Sequence, residues 1–154
     1  MADIRVATAR DFDACIDIFS GDERPWLISS LKTLLGSWLI KNSVYVAPDP
    51  DDEILGFLAC DYEAFTEAAY LRLVYVREDA RGAGHATALV QHAIDQAENR
   101  GLRRVFADAP AHRAGKDDLF PHLASKFGGE YAGTLKHMHA EDVAWHVYSV
   151  TLGR

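Results

Sequence analysis

A chain of 154 residues has the length of one domain and can bury a substantial core, so a single domain over 1–154 is expected. Hydrophobic residues make up 49% and charged residues 25%, an ordinary globular balance that argues against a disordered chain. The net charge of −7 argues against nucleic acid as the main partner and fits a cationic one. Cys15 and Cys60 are too few for a disulfide framework or a metal cluster and read as buried free thiols. The first residues, MADIRVATAR, contain no apolar signal core. The longest apolar segment, Trp26 to Ile40, is interrupted by Ser29, Ser30, Lys32 and Ser37 and is too short to span a bilayer. A cytoplasmic protein without membrane contact is the default expectation.

In chain order, Ile4 to Thr8 reads as a short strand. Thr8-Ala9-Arg10-Asp11 is a capping-box pattern that opens a helix through Phe12, Cys15, Ile16 and Phe19. Gly21 to Pro25 ends it. A second helix from about Trp26 carries Leu27, Leu31, Leu34, Leu35, Trp38 and Leu39, a stripe broader than one packing face needs. Val44 to Ala47 and Ile54 to Tyr62 read as a hairpin around the turn Pro48–Asp52, and Tyr70 to Val76 as a further strand. After the polar turn Arg77–Ala80 comes Arg81-Gly82-Ala83-Gly84-His85-Ala86. A helix follows with Leu89, Val90, Ala93, Ile94 and Ala97 on its apolar face, closed by Gly101. Arg103 to Ala109 is a fifth strand, Asp117 to Phe127 a short helix, and Tyr131 to His139 and Val143 to Leu152 two closing strands. No repeat, low-complexity tract or linker interrupts this order.

The stretch with chemical content is the glycine turn between a strand and a helix start. Such a turn gathers free backbone N–H groups and the positive end of a helix dipole at one point, which suits an anion and most often a phosphate. Gly82 and Gly84 lack a Cβ, so phosphates can approach the main chain and unusual φ/ψ values cost little. Two phosphate-binding alternatives fit less well. A dinucleotide fingerprint wants a third glycine where Ala86 stands, although alanine is tolerated, and an acidic strand end about twenty residues on. There the chain has a helix end and Gly101-Leu102-Arg103-Arg104. A Walker A loop is excluded because no Gly-Lys-Ser/Thr follows.

Val74-Tyr75-Val76, the step to Arg81, and then R-G-x-G-x-A with a Leu-Val pair resembles motif A of the GNAT superfamily of N-acetyltransferases. Arg81, Gly84 and Ala86 fill the fixed places of that motif, roughly [Q/R]-x-x-G-x-[G/A]. The element order also follows the family coarsely from end to end. The resemblance implies an α/β fold with a mixed, mostly antiparallel sheet of roughly six to seven strands flanked by about four helices. It implies acetyl-CoA as the donor and co-substrate, with no metal. The N–H groups from Gly82 through Ala83, Gly84, His85 and Ala86 to Thr87 would hold its pyrophosphate, flanked by Arg81. Val74, Tyr75 and Val76 would pair with the pantetheine arm like an added strand, and nearby main chain would stabilise the developing oxyanion. A primary amine would attack the acetyl group directly, so the protein must supply a proton acceptor and, optionally, an acid for the thiolate. Homodimerisation is left open.

The sequence departs from the family at the usual proton-handling groups. Many members carry a tyrosine in a pattern like L-Y-x-K-x-G-F, but Leu123-Ala124-Ser125-Lys126-Phe127-Gly128-Gly129 places Ala124 there. Some use a glutamate where Tyr70 stands. Tyr70, Glu63 and Tyr131 are the remaining candidates, with water-mediated deprotonation as an equal alternative. A non-catalytic acyl-CoA sensor or partner subunit is the competing reading, although active members also lack these groups because proximity supplies much of the rate. Trp26, Trp38, Tyr62, Phe65 and Trp145, with Asp61, Glu63 and Glu67, would line the acceptor side and suit a small amine with an apolar portion. His137, His139 and His146, beside Glu141 and Asp142, offer a His-x-His pair without a cysteine and read as solvated hairpin residues rather than a metal site.

Overall fold

The computed structural model describes residues 3–20, 28–110, 125–135 and 145–153. Seven strands form one sheet in the order β1-β2-β3-β4-β5-β7-β6. They are β1 Arg5–Val6, β2 Val44–Pro48, β3 Ile54–Glu63, β4 Ala68–Val76, β5 Arg104–Pro110, β6 Glu130–Leu135 and β7 Trp145–Thr151. The β1–β2, β2–β3, β5–β7 and β6–β7 pairs are antiparallel, and β4 runs parallel to β5. The sheet is therefore mixed and mostly antiparallel, as expected. The last strand in sequence, β7, inserts between β5 and β6.

The described residues hold three α-helices, α1 Phe12–Ser20, α2 Ile28–Ile40 and α3 His85–Asn99, against about four expected. The fourth, expected over 117–127, falls mostly outside the described residues, where Ser125 and Lys126 are helical. The chain divides into two compact units, Met1–Asp61 with Leu73–Ala93, and Tyr62–Arg72 with Ile94–Arg154.

In the first unit the period-2 pattern of β2 splits its side chains between two faces. Val44 and Val46, both fully buried, join a cluster with Cys15, Ile16 and Phe19 of α1 and Leu31, Leu35 and Trp38 of α2. Tyr45, between them, turns to the other face and meets the edge of His92 on α3 at 4.6 Å. The strand is covered on both sides, which is why it reads as an unbroken apolar run. Burying side chains such as Leu35 and Phe19 contributes about 1.5–3 kcal/mol each. The breadth of the α2 stripe exceeds its packing face: Leu34 is half exposed and Ile40 almost wholly exposed.

Asp11 fastens the start of α1. The Thr8 amide donates to its carboxylate at 2.8 Å, and a 3-10 turn over Ala9–Asp11 leads into the helix. Arg5 on β1 reaches both Asp11 oxygens, at 2.8 and 3.1 Å, and also Asp52 in the β2–β3 turn at 2.9 Å. Burial alone would raise the Asp11 pKa; the bonds from Arg5 and Thr8 outweigh it and hold the carboxyl below its ordinary value. Cys15 and Cys60 are buried free thiols, and burial pushes the Cys15 pKa up to about 12. Among the described residues, no helix is long and apolar enough to cross a membrane.

Candidate functional site

The glycine turn lies at the end of β4. A 3-10 turn over Glu78–Ala80 leads to Arg81, whose Nε donates to the Val76 carbonyl at 3.1 Å and ties the loop to the strand. Gly82 and Gly84 take φ values of +79° and +88°, the left-handed region that side chains disfavour. A Cβ built at either position would meet no atom within 4 Å. Backbone conformation, not crowding within the protein, therefore requires glycine there, and the space above the loop is open.

α3 begins at His85, and its first hydrogen bond into the loop runs from the Ala88 amide to the Gly84 carbonyl at 3.0 Å. The amides of Gly82 through Thr87 have no acceptor among the described residues. Residues 81–84 are exposed and 85–87 half-buried. The 15-residue helix adds its dipole to these donors. The helix is anchored along its apolar face, where Leu89, Val90 and Ala93 are buried. The loop that the motif singled out thus presents backbone donors at a helix start, the arrangement an anion-binding turn requires. Val74 is buried, while Tyr75 is half-buried, edge-on to Phe19 at 5.0 Å and stacked with Phe57 at 5.9 Å. The parallel β4–β5 ladder extends from Ala68↔Arg104 to Leu71↔Ala107.

The three proton-handling candidates lie in the second unit and are not equivalent. Tyr70 on β4 stacks on Phe106, its ladder partner on β5, with centroids 5.4 Å apart and planes 21° from parallel. The guanidinium of Arg72, two residues along the same strand, lies over the Tyr70 ring at 5.0 Å. Glu63, at the end of β3, is exposed and has no hydrogen-bond or ion-pair partner among the described residues. Tyr131 on β6 is 54% exposed and meets Tyr148 edge-on at 5.9 Å. Burial and then this neighbour raise the Tyr148 pKa.

Several expected acceptor-side residues have other work. Trp38 is buried and its indole N–H donates to Asp61 at 2.9 Å, so it belongs to the core and fixes that carboxylate. Arg100 covers the Tyr62 ring at 4.0 Å. Glu67 pairs with Arg103 at 2.7 Å, and its carbonyl accepts from the Arg103 amide at 2.7 Å. Phe65, on the turn between them, is 96% exposed. Trp26 and Ala124 fall outside the described residues, as do the Trp145 and His146 side chains and residues 136–144 with the rest of the histidine group. Among the described residues no cluster of metal-ligating side chains occurs.

Sequence reading missed Arg72 and Phe106. Arg72 had a weak signal, because an i, i+2 pair on a strand shares a face. Phe106 had none, because its meeting with Tyr70 depends on the parallel register.

The fold has parallels among solved structures. An N-acetyltransferase from Staphylococcus aureus superposes with a TM-score of 0.79 at 22% identity, over 99% of both chains. An acetyltransferase of the GNAT family from Bacillus cereus gives 0.77 at 16% identity, over 100% of this chain and 99% of that one. The ribosomal-protein-S18-alanine N-acetyltransferase of Escherichia coli gives 0.79 at 17% identity, over 100% and 96%. At these identities the likeness carries the fold. A search of curated proteins finds no match. The model of the acetyltransferase (GNAT) family matches residues 12–120, most of the chain and the whole glycine turn within it. This chain therefore belongs to the GNAT family of acetyltransferases, which draw their acetyl group from acetyl-CoA.

Proposed function

We propose that this protein is an N-acetyltransferase that moves the acetyl group of acetyl-CoA to a small primary amine by direct attack. The observation that carries the reading is the run of six amides, Gly82 to Thr87, at the start of α3 without an acceptor among the described residues. Bound acetyl-CoA would supply an acyl group activated as a thioester. In this reading the amides of Gly82, Ala83, Gly84, His85, Ala86 and Thr87 hold the pyrophosphate, and Arg81 flanks it. Val74, Tyr75 and Val76, beyond the end of the β4–β5 ladder, take the extended arm as an added strand.

The ammonium of the acceptor must lose a proton before it can attack. Of the three candidates, Tyr70 suits this role best, because its ring is contacted by Phe106 and Arg72 while Glu63 and Tyr131 are largely solvated. A phenol held in place can relay the proton: its oxygen accepts the one that the ammonium loses while its own O–H proton passes to a water and on to solvent. Glu63, exposed and without a partner among the described residues, suits recognition of the ammonium before deprotonation.

Thermal shift of the purified protein with acetyl-CoA, CoA and NAD tests the donor. Thiol release with alkyl and aryl amines, polyamines, aminoglycosides and peptides then tests the acceptor. Turnover with peptides alone would overturn the small-amine reading. Tight CoA binding without turnover of any acceptor would favour a sensor, the reading that Ala124 and Tyr70 at the usual catalytic positions motivates.

A further inference from the structure

A charged residue that no family pattern supplied lies against the proposed proton-handling group. Arg72 stands two residues after Tyr70 on β4, and its guanidinium carbon lies 5.0 Å from the Tyr70 ring centroid. Phe106 stacks on the same ring from the neighbouring strand. A tyrosine ring on a half-covered sheet otherwise has χ1 alternatives and a ring flip open to it. An aromatic neighbour gives it a stacking surface, and a cation over its face adds an attraction that fades quickly as the ring turns away. The two contacts differ in origin: the parallel register imposes the Phe106 contact, whereas the Arg72 contact follows from the i, i+2 spacing on one strand.

We propose that Arg72 is a positioning residue for Tyr70, holding the phenol in the single orientation from which its oxygen takes up the proton of the acceptor ammonium while its own O–H proton passes to water. The inference rests on the reading of Tyr70 given above. Arg72 makes no bond to substrate in this scheme. It narrows the orientations of the Tyr70 hydroxyl, so its removal lowers the rate of the proton-transfer step while acetyl-CoA and acceptor still bind.

The test combines a structural and a kinetic measurement on the whole protein. In protein labelled with 3-fluorotyrosine, the Tyr70 resonances are assigned as those missing from Tyr70→Phe. Restricted ring flipping gives two resolved fluorine signals for wild type, and Arg72→Met should merge or broaden them. Arg72→Met keeps the aliphatic stem, and Arg72→Lys, which restores a cation, should recover the wild-type pattern in part. Steady-state kinetics use acetyl-CoA with phenethylamine, spermidine or an alanine-initiated peptide, taking the acceptor with the greatest thiol release. Arg72→Met should lower kcat about two- to thirty-fold with KM for both substrates unchanged, the range expected of one cation–π contact. In a Tyr70→Phe background it should lower kcat no further.

If Tyr70→Phe reduces kcat but Arg72→Met leaves both kcat and the fluorine spectrum as in wild type, Arg72 is not a positioning residue and the role of Tyr70 stands. An equal further loss in the Tyr70→Phe background also overturns the proposal, since Arg72 would then act by another route. If Tyr70→Phe leaves kcat unchanged, or none of the three acceptors is turned over, the reading of Tyr70 fails and the proposal fails with it.

Discussion

The loop from Gly82 to Thr87 and the group around Tyr70 represent two ways of building a functional surface. The loop is made of main chain: its donors are amides, its shape is set by two positive φ angles, and its rigidity comes from the buried face of α3. The Tyr70 group is made of side chains, and each partner is placed by a different rule, Phe106 by strand register and Arg72 by position on one strand. A backbone site depends on conformation and tolerates most changes of side chain. A side-chain site depends on identity and fails with the loss of a single group.

The largest expected effect tests the side-chain region. Tyr70→Phe should lower kcat by about 10²–10⁴, while Glu63→Gln and Tyr131→Phe change it far less. Losses of equal size in all three would mean that proton handling is shared.

The loop should respond to conformation instead. Acetyl-CoA at a hundred times its Kd should stabilise the protein by about 2.7 kcal/mol. Gly84→Val forces a branched side chain to φ +88° and should abolish that thermal shift, whereas Ala83→Ser should leave it intact. A normal shift in folded Gly84→Val would break the comparison, because it would place the anion elsewhere.

A third variant separates stability from both regions. Asp11 is buried and bridged by Arg5, so Asp11→Ala should cost about 2–4 kcal/mol on denaturant unfolding with acetyl-CoA affinity unchanged. Its pKa is depressed in the folded state, so its contribution is present at neutral pH. That contribution is lost as pH falls below the unfolded value of about 4 and through the folded one. Asp11→Asn should therefore flatten the acid limb of a stability–pH curve, and an unchanged limb would show that other carboxylates carry it.

The smallest effect concerns the tie between α2 and β3. Trp38→Phe keeps the ring but removes the indole N–H that Asp61 accepts, at a cost of about 1.5–3 kcal/mol for a bond to a charged group. Asp61→Asn, which can still accept, should cost less. If Trp38→Phe changes acceptor KM with stability unaltered, Trp38 faces the acceptor rather than the core.

Much of the fold was legible because its signals are local. The alternation in β2, the cap at Asp11, the apolar spacing of α3 and Gly101 at its end each depend on neighbours a few residues away. The shape of the glycine loop was legible for the same reason: three fixed motif places and two glycines specify a backbone, and φ of +79° and +88° is a region that glycine enters with little strain. The ligand class proposed for it rests on the same local feature, since unpaired amides at a helix start favour anions.

Tertiary structure alone decided which side chains meet. The aromatic and acidic residues that the family resemblance placed on the acceptor side meet different partners once folded. Trp38 goes to the core with Asp61, Glu67 to Arg103, Tyr62 beneath Arg100, and Phe65 into solvent. The stacking of Tyr70 on Phe106, 36 positions later in the numbering, requires β5 to return parallel to β4 in one particular register. Short-range sequence determines backbone shape because φ and ψ respond to the residue itself and its neighbours. Side-chain partnerships come from distant parts of the chain, and only packing of the whole sheet and its helices selects among them.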